Sequence, residues 1–217
     1  MKNIALVLLV FISNFSFSQT KLNKALKKQL DSVIALDQKY RDTLSLLMTP
    51  QKADSTAKSL SLTVAQANNH YWRLQNRIDS LNVVFIESVF KKYGYPGKSM
   101  VDTPANEAAW YIIQHSNKIH QYIDLIKKAA DEHELPFHLY AMMLDRDLMD
   151  LGKEQMYGTQ ISCHKFKSIT DECIVWPIKD PAKVNERRKQ AGFPNTVEQN
   201  ATRFGVVYRV IKLDEVQ

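Results

Sequence analysis

A helical rhythm over the first third of the chain constrains its fold more than any other feature. From Lys21 to Leu47 the apolar residues Leu22, Leu26, Leu30, Val33, Tyr40, Leu44 and Leu47 are separated by threes, fours and their sums. That spacing returns to one face of an α-helix, whereas a half-buried strand would alternate. "MTPQKADST" interrupts the pattern at Pro50. The rhythm resumes near Ser55 or Ser59 and runs to Tyr93, most clearly at Ile78, Leu81, Phe85, Val89 and Tyr93. At its usual rise per residue this second helix would reach roughly 50 Å, well beyond the average globular helix. Two such helices joined by a short break predict a long antiparallel helical arm over residues 19–93. Packing is the simplest role of such an arm; docking of a protein partner is the functional alternative.

The stretch before the arm, "MKNIALVLLVFISNFSFSQ", reads as a signal peptide over residues 1–18. Lys2 supplies the positive end, Ile4 to Ile12 the apolar run, and Ser16 and Ser18 the small residues before a cut after Ser18. No cysteine follows the cut, which disfavours a lipid anchor, and no later segment is apolar enough for a membrane span. The expectation is a periplasmic or secreted chain. Cys163 and Cys173 are the only cysteines, and in an oxidising compartment they predict one disulfide. Zinc needs more ligands than Cys163 and the adjacent His164 supply, so neither a metal nor a cofactor is expected. Removing Lys2 leaves 28 basic against 23 acidic side chains, a formal charge of +5. This mild excess favours an anionic ligand. The basic residues are scattered, as on a solvated helix face, and no aromatic-interleaved basic stripe points to nucleic acid.

Beyond Gly94 the turn-rich "YGYPGKSMVDTP" contains "GKS". A phosphate loop would need a glycine where Lys92 stands and a preceding strand, so a structural turn is the better reading. Thr103 and Pro104 read as the N-cap and first position of a helix that puts Ala108, Ile112 and His115 on one side. Further helices are expected from about Lys118 to Glu132, from Pro136 to Gly152, and from Asp180 and Pro181 to Gly192. Between the last two, Tyr157 to Phe166 and Cys173 to Ile178 flank a polar "KSITD". They predict a β-hairpin over about 157–178, with Cys163 facing Cys173 if the turn centres near Ser168. In the tail, "VVYRVI" reads as a strand pairing with that hairpin. The whole is mainly α: a compact helical domain over 94–217 with one β-hairpin, preceded by the arm.

The motifs "DQKYR", "YGYPGKS", "AAWYIIQHS", "LDRDLM", "YGTQ" and "PIKDPAKVNERRKQAGFP" occur in that order. Together they resemble an uncharacterised bacterial domain-of-unknown-function family, domain of unknown function 6624, from about Leu30 to Pro194. The cysteine pair and the tail after Pro194 depart from the family pattern. The resemblance implies kinship and no established activity.

His115 is the leading chemical candidate, because histidine alone has an unperturbed titration near neutrality. It is either an acid/base or ligand contact, or a satisfied histidine capping helix carbonyls. Asp145 is a candidate to orient His115 or Arg146, and Arg146 to grip a carboxylate or phosphate. Both also read as a structural ion pair. Tyr157 and Gln160 lie at the helix-to-strand transition, where Gln160 either binds substrate amides or satisfies a buried backbone group. Gly158 reads as a backbone requirement. Arg187 and Arg188 are exposed or site-facing on a short helix, one of them able to pair with Asp145. Three roles follow. A binding domain would gather His115, Arg146, Tyr157, Gln160 and Arg187 around a polar pocket at the helix/hairpin junction. A hydrolase would use His115 as acid/base with Asp145 orienting it. A scaffold would dock through the arm.

Overall fold

The computed structural model describes residues 22–163 and 173–216, so the expected leader and the tip of the hairpin lie outside the described residues. The architecture is mainly helical, with a single two-stranded antiparallel hairpin among the described residues.

The first expected helix is two, α1 (Lys24–Gln38) and α2 (Arg41–Met48). A side chain from the long helix α4 (Val64–Tyr93) makes the break. Gln75 is fully buried; its Nε2 donates to the Asp37 carbonyl at 2.8 Å and its Oε1 accepts from the Tyr40 N–H at 3.3 Å. A carboxamide thus satisfies two backbone groups that a continuous helix would have paired internally. Pro50, expected as a breaker, instead opens α3 (Pro50–Ser59), where its missing N–H is not needed. A turn follows α3. Thr63 and Gln66 then form a reciprocal capping box that starts α4.

Next come α5 (Lys98–Val101), a 3₁₀ turn (Ala105–Glu107), α6 (Ala108–Gln114), α7 (Ile119–Asp131) and α8 (Phe137–Asp150). The "GKS" turn is structural. Lys98 N–H donates to the Glu134 carbonyl at 3.0 Å and Ser99 N–H to the Glu134 carboxylate at 2.7 Å. Thr103 does not cap a helix: its own N–H turns back to Asp102 Oδ1, and α6 starts only after the 3₁₀ turn. Leu26, Leu30 and Val33 of α1 and Ile86, Val89 and Phe90 of α4 share one core with residues of α6, α7 and α8, including Trp110, Ile113, Ile126 and Met143. The core therefore runs across residue 93. A separate cluster of Leu47, Ala57 and Ala67 joins α2, α3 and the start of α4.

Strands β1 (Ile161–Ser162) and β2 (Ile174–Val175) pair Ile161 with Val175 and Ser162 with Ile174. They are shorter than the expected strands, because residues 155–160 form a loop that packs on α8 and α9. The register sets Cys163 opposite Cys173, and these form a disulfide. After β2 come a 3₁₀ turn (Pro181–Lys183), α9 (Val184–Gln190) and α10 (Val197–Arg203). Asp180 offers no side-chain cap there. Val175, Ile178, Val184, Val197, Ala201 and Val206 make a second core beneath the hairpin.

The strand expected at "VVYRVI" is absent among the described residues. Gly205, at φ 71°, lets its N–H bond to Thr202 O and the Val206 N–H to Ala201 O, closing α10. The segment beyond buries Val206 and Ile211 without a ladder, leaving Val207 and Val210 exposed. No helix among the described residues is long and apolar enough to cross a membrane.

Candidate functional site

The polar candidates separate into two places. The first is built on His115, which ends α6. Its Nδ1 lies 3.1 Å from Oδ1 of Asp37, near the end of α1, and Asp37 is wholly buried. Arg41, one turn on, donates Nη2 to Asp37 Oδ1 at 3.1 Å and Nε to Oδ2 at 3.3 Å. The same Nη2 reaches Asp79 Oδ1 on α4 at 2.8 Å, where Gln75 Nε2 also donates at 2.7 Å. Gln38 Nε2 adds a bond to Asp37 Oδ2 at 2.6 Å. Burial pushes the Asp37 carboxyl up, but the hydrogen bonds and charges of His115 and Arg41 outweigh it and hold the group below the usual carboxylate range. An ionised Asp37 accepts from the Nδ1–H of His115, while the ring's Nε2 lies 3.5 Å from Gln114 Nε2.

His115 stands in the wall of a cleft of about 420 Å³, with Asp37 buried behind it. One side is a face of α4, with Asn76, Asp79, Ser80, Val83, Val84 and Glu87. The other is the turn between α6 and α7, His115 to Lys118. The His115 side chain keeps 21% of its surface exposed, enough for a ligand to touch. At the far end Glu87 Oε1 accepts from the Tyr122 hydroxyl at 2.9 Å and pairs with Lys118 Nζ at 3.3 Å. The Tyr122 bond, with help from Lys118, lowers the Glu87 carboxyl.

The second place is the junction of α8, α9 and the loop before β1. Asp145 lies here, with no contact to His115. Its Oδ1 accepts from the N–H groups of Met156 at 2.7 Å and Tyr157 at 3.0 Å, and its Oδ2 from the Thr159 N–H at 3.0 Å and hydroxyl at 2.9 Å. Burial raises the Asp145 carboxyl, while those donors oppose the rise. Asp145 therefore does not meet His115 as expected: the carboxylate beside His115 is Asp37, and every donor around Asp145 comes from the loop.

Gln160 Nε2 turns to the Met142 carbonyl at 3.3 Å and to Thr159 Oγ1 at 3.0 Å. Arg187 spends its guanidinium on carbonyls, Met156 O at 2.9 Å and Lys179 O and Asp180 O on the other side. Arg188, expected exposed or site-facing, is buried and grips Tyr157 O at 2.8 Å and Asn195. Arg146 points to solvent with no hydrogen-bond or ion-pair partner among the described residues. Tyr157 and Arg187 do line a smaller cavity of about 320 Å³ with Phe137, Gln190 and Ala191. His115, Arg146 and Gln160 take no part in it.

The polar residues around His115 and its cleft that sequence reasoning passed over are Asp37, Arg41, Gln75, Asp79 and Glu87. A signal existed for two of them: "DQKYR" sets Asp37 and Arg41 one helical turn apart. Gln155, also passed over, is fully buried and cross-braces the loop through Gln160 and Trp176 backbone groups. Among the described residues no group of three His, Cys, Asp or Glu side chains is placed to hold a metal ion.

The model of a family of unknown function (DUF6624) matches residues 46–205. The match takes in His115, Glu87 and the loop junction, begins after Asp37 and Arg41, and extends past Pro194 to Gly205. Comparison with curated proteins and with solved structures returned no match.

Proposed function

We propose, for a chain that belongs to this family of unknown function, that it is a binding domain whose ligand occupies the cleft between α4 and the α6–α7 turn and touches His115. The observation that carries this reading is the imidazole fixed at 3.1 Å by a wholly buried carboxylate while its edge faces a cleft. A histidine that only capped helix carbonyls would need no ionised partner. The junction around Asp145, whose polar groups satisfy one another, holds the fold. A small polar molecule or a peptide side chain suits the volume. The leader sequence and the disulfide between the only two cysteines support a periplasmic or secreted site of action.

The Asp37–His115 pair also favours a second reading, in which His115 Nε2 acts as a general base on a bound hydrolysable substrate. Thermal-shift screening of wild type against His115→Gln tests the first reading. Compounds that stabilise the wild type and lose that effect in the variant support it. Compounds that stabilise both equally contradict it. Turnover of a stabilising compound, lost in His115→Gln, would establish the second.

A further inference from the structure

We infer that the lysine-rich end of the helical core is a contact surface for an anionic phospholipid bilayer. The fold gathers there basic residues that the sequence scatters. Helices α1 and α4 run antiparallel: Gln75 of α4 meets Asp37 near the end of α1, while the Asn23 N–H, just before α1, donates to the Met100 carbonyl beyond the end of α4 at 2.8 Å. Lys24, Lys27 and Lys28 of α1 thus come to the same end as Lys91 and Lys92 of α4 and Lys98 of α5. Of the six, only Lys27 has an ion-pair partner among the described residues, Asp31 at 3.3 Å. Set against Asp31, Asp102 and Glu134, the acids of the same segments, the six lysines leave a charge of +3, half of the chain's formal +6.

Local helix stability does not explain this charge. Lys91 and Lys92 suit the last turn of α4, where the helix dipole is negative. Lys24, Lys27 and Lys28 sit at the start of α1, where it is positive and where no acidic residue in the first turn offsets them. Two apolar side chains lie among the lysines: Leu22 just before α1 and Tyr93 at the end of α4, exposed at 38% and 37%. Lys92 Nζ lies 4.8 Å from the centre of the Tyr93 ring. Ammonium groups set around an aliphatic and a phenolic side chain match a bilayer interface, where the cations meet phosphates and the apolar groups reach the acyl boundary. A soluble polyanion would use the lysines alone.

The order of the chain favours the same partner. The apolar run Ile4 to Ile12 ends twelve residues before Lys24, a span of at most about 40 Å. On the reading of residues 1–18 as a leader, this is the end of the fold closest to the membrane during export. None of these residues lines the cleft at His115, so the inference stands apart from the reading of that cleft.

Co-sedimentation of the purified protein with vesicles of phosphatidylcholine, alone or with about 30% phosphatidylglycerol, tests it at about 0.1 M salt. We expect binding to the anionic vesicles to be roughly tenfold tighter or more, and to be lost at about 0.5 M salt. Each lysine held near an anionic leaflet contributes a factor of about five. Lys24→Gln, Lys28→Gln, Lys91→Gln and Lys92→Gln combined should therefore weaken binding about a hundredfold or more, without lowering Tm, since all four side chains are exposed. Lys52→Gln, Lys58→Gln, Lys179→Gln and Lys189→Gln combined remove the same charge from exposed positions elsewhere and should weaken it less than about threefold. Leu22→Ser with Tyr93→Ser should weaken it about tenfold. Equal binding to the two kinds of vesicle, or equal weakening by the two lysine sets, overturns the inference. If the first lysine set loses binding and the Leu22 and Tyr93 variant keeps it unchanged, the surface takes a soluble polyanion and the bilayer assignment falls.

Discussion

Asp145→Asn separates a carboxylate that holds the fold from one that serves a site. The wild-type group is wholly buried and accepts from three backbone N–H groups and the Thr159 hydroxyl, at 2.7 to 3.1 Å. An amide of the same shape keeps one acceptor oxygen and turns the other position into a donor. Whichever way it lies, its NH₂ faces at least one N–H: that of Met156 in one orientation, that of Thr159 in the other. The Thr159 hydroxyl can rotate to accept, but a backbone N–H cannot. An orphaned buried N–H costs about 1–3 kcal/mol, and contact between two donors adds to it, so the variant should lose about 2–4 kcal/mol. That is a large part of the stability of an ordinary domain. Urea unfolding followed by tryptophan fluorescence and by far-ultraviolet circular dichroism measures the loss. Where the variant remains folded, a ligand that binds beside His115 should bind it with unchanged affinity. A loss below about 1 kcal/mol together with abolished binding would refute the reasoning and return Asp145 to the site.

Other consequences follow from named contacts. Gly158 sits at φ 68°, and a Cβ there would lie 2.6 Å from Val197 Cγ2 and 2.8 Å from Ile178 Cδ1. Gly158→Ala should therefore lower thermal stability by about 2 kcal/mol or more, read as a fall in Tm. Replacing Cys163 and Cys173 by serine should cost about 2–3 kcal/mol in urea unfolding, with no further effect of reductant on the variant. The Asp37 carboxyl is held below its unfolded value, so its contribution is complete above that value and is lost as pH falls through the folded one. Stability measured from pH 6 down to about pH 3 should therefore fall more steeply in wild type than in Asp37→Asn.

How far the sequence could be read follows the range of the interactions involved. Helices α7, α8 and α9 were legible because their signals are local: Pro136 before α8, Pro181 before α9, Gly152 and Gly192 just past α8 and α9, and apolar residues three and four apart along α7 and α8. The pairing of Cys163 with Cys173 was legible too, since a hairpin's register follows from its turn. The break between α1 and α2 was not, because the group that makes it, Gln75, lies 38 residues beyond Asp37. The site was half legible for the same reason. His115 stood out by its chemistry, but its partner is 78 residues upstream. Asp145 looked like the orienting acid because it also lies in a motif, yet its oxygens are consumed by a loop only 11 to 14 residues on. "VVYRVI" has strand-forming side chains, but the tertiary fold buries Val206 and Ile211 as anchors and leaves Val207 and Val210 exposed without a ladder.

The central claim, that ligand meets protein at His115, is tested most directly by the histidine ring resonances of the protein. A carbon-13 spectrum of histidine-labelled protein would be followed while a stabilising compound is titrated in. His138 is a built-in control, since its ring packs on Phe193 beside Tyr157 and the second cavity. The account predicts that the His115 signal shifts and saturates with the compound while His138 stays still. A compound that saturates the protein, moves His138 and leaves His115 unchanged would contradict it.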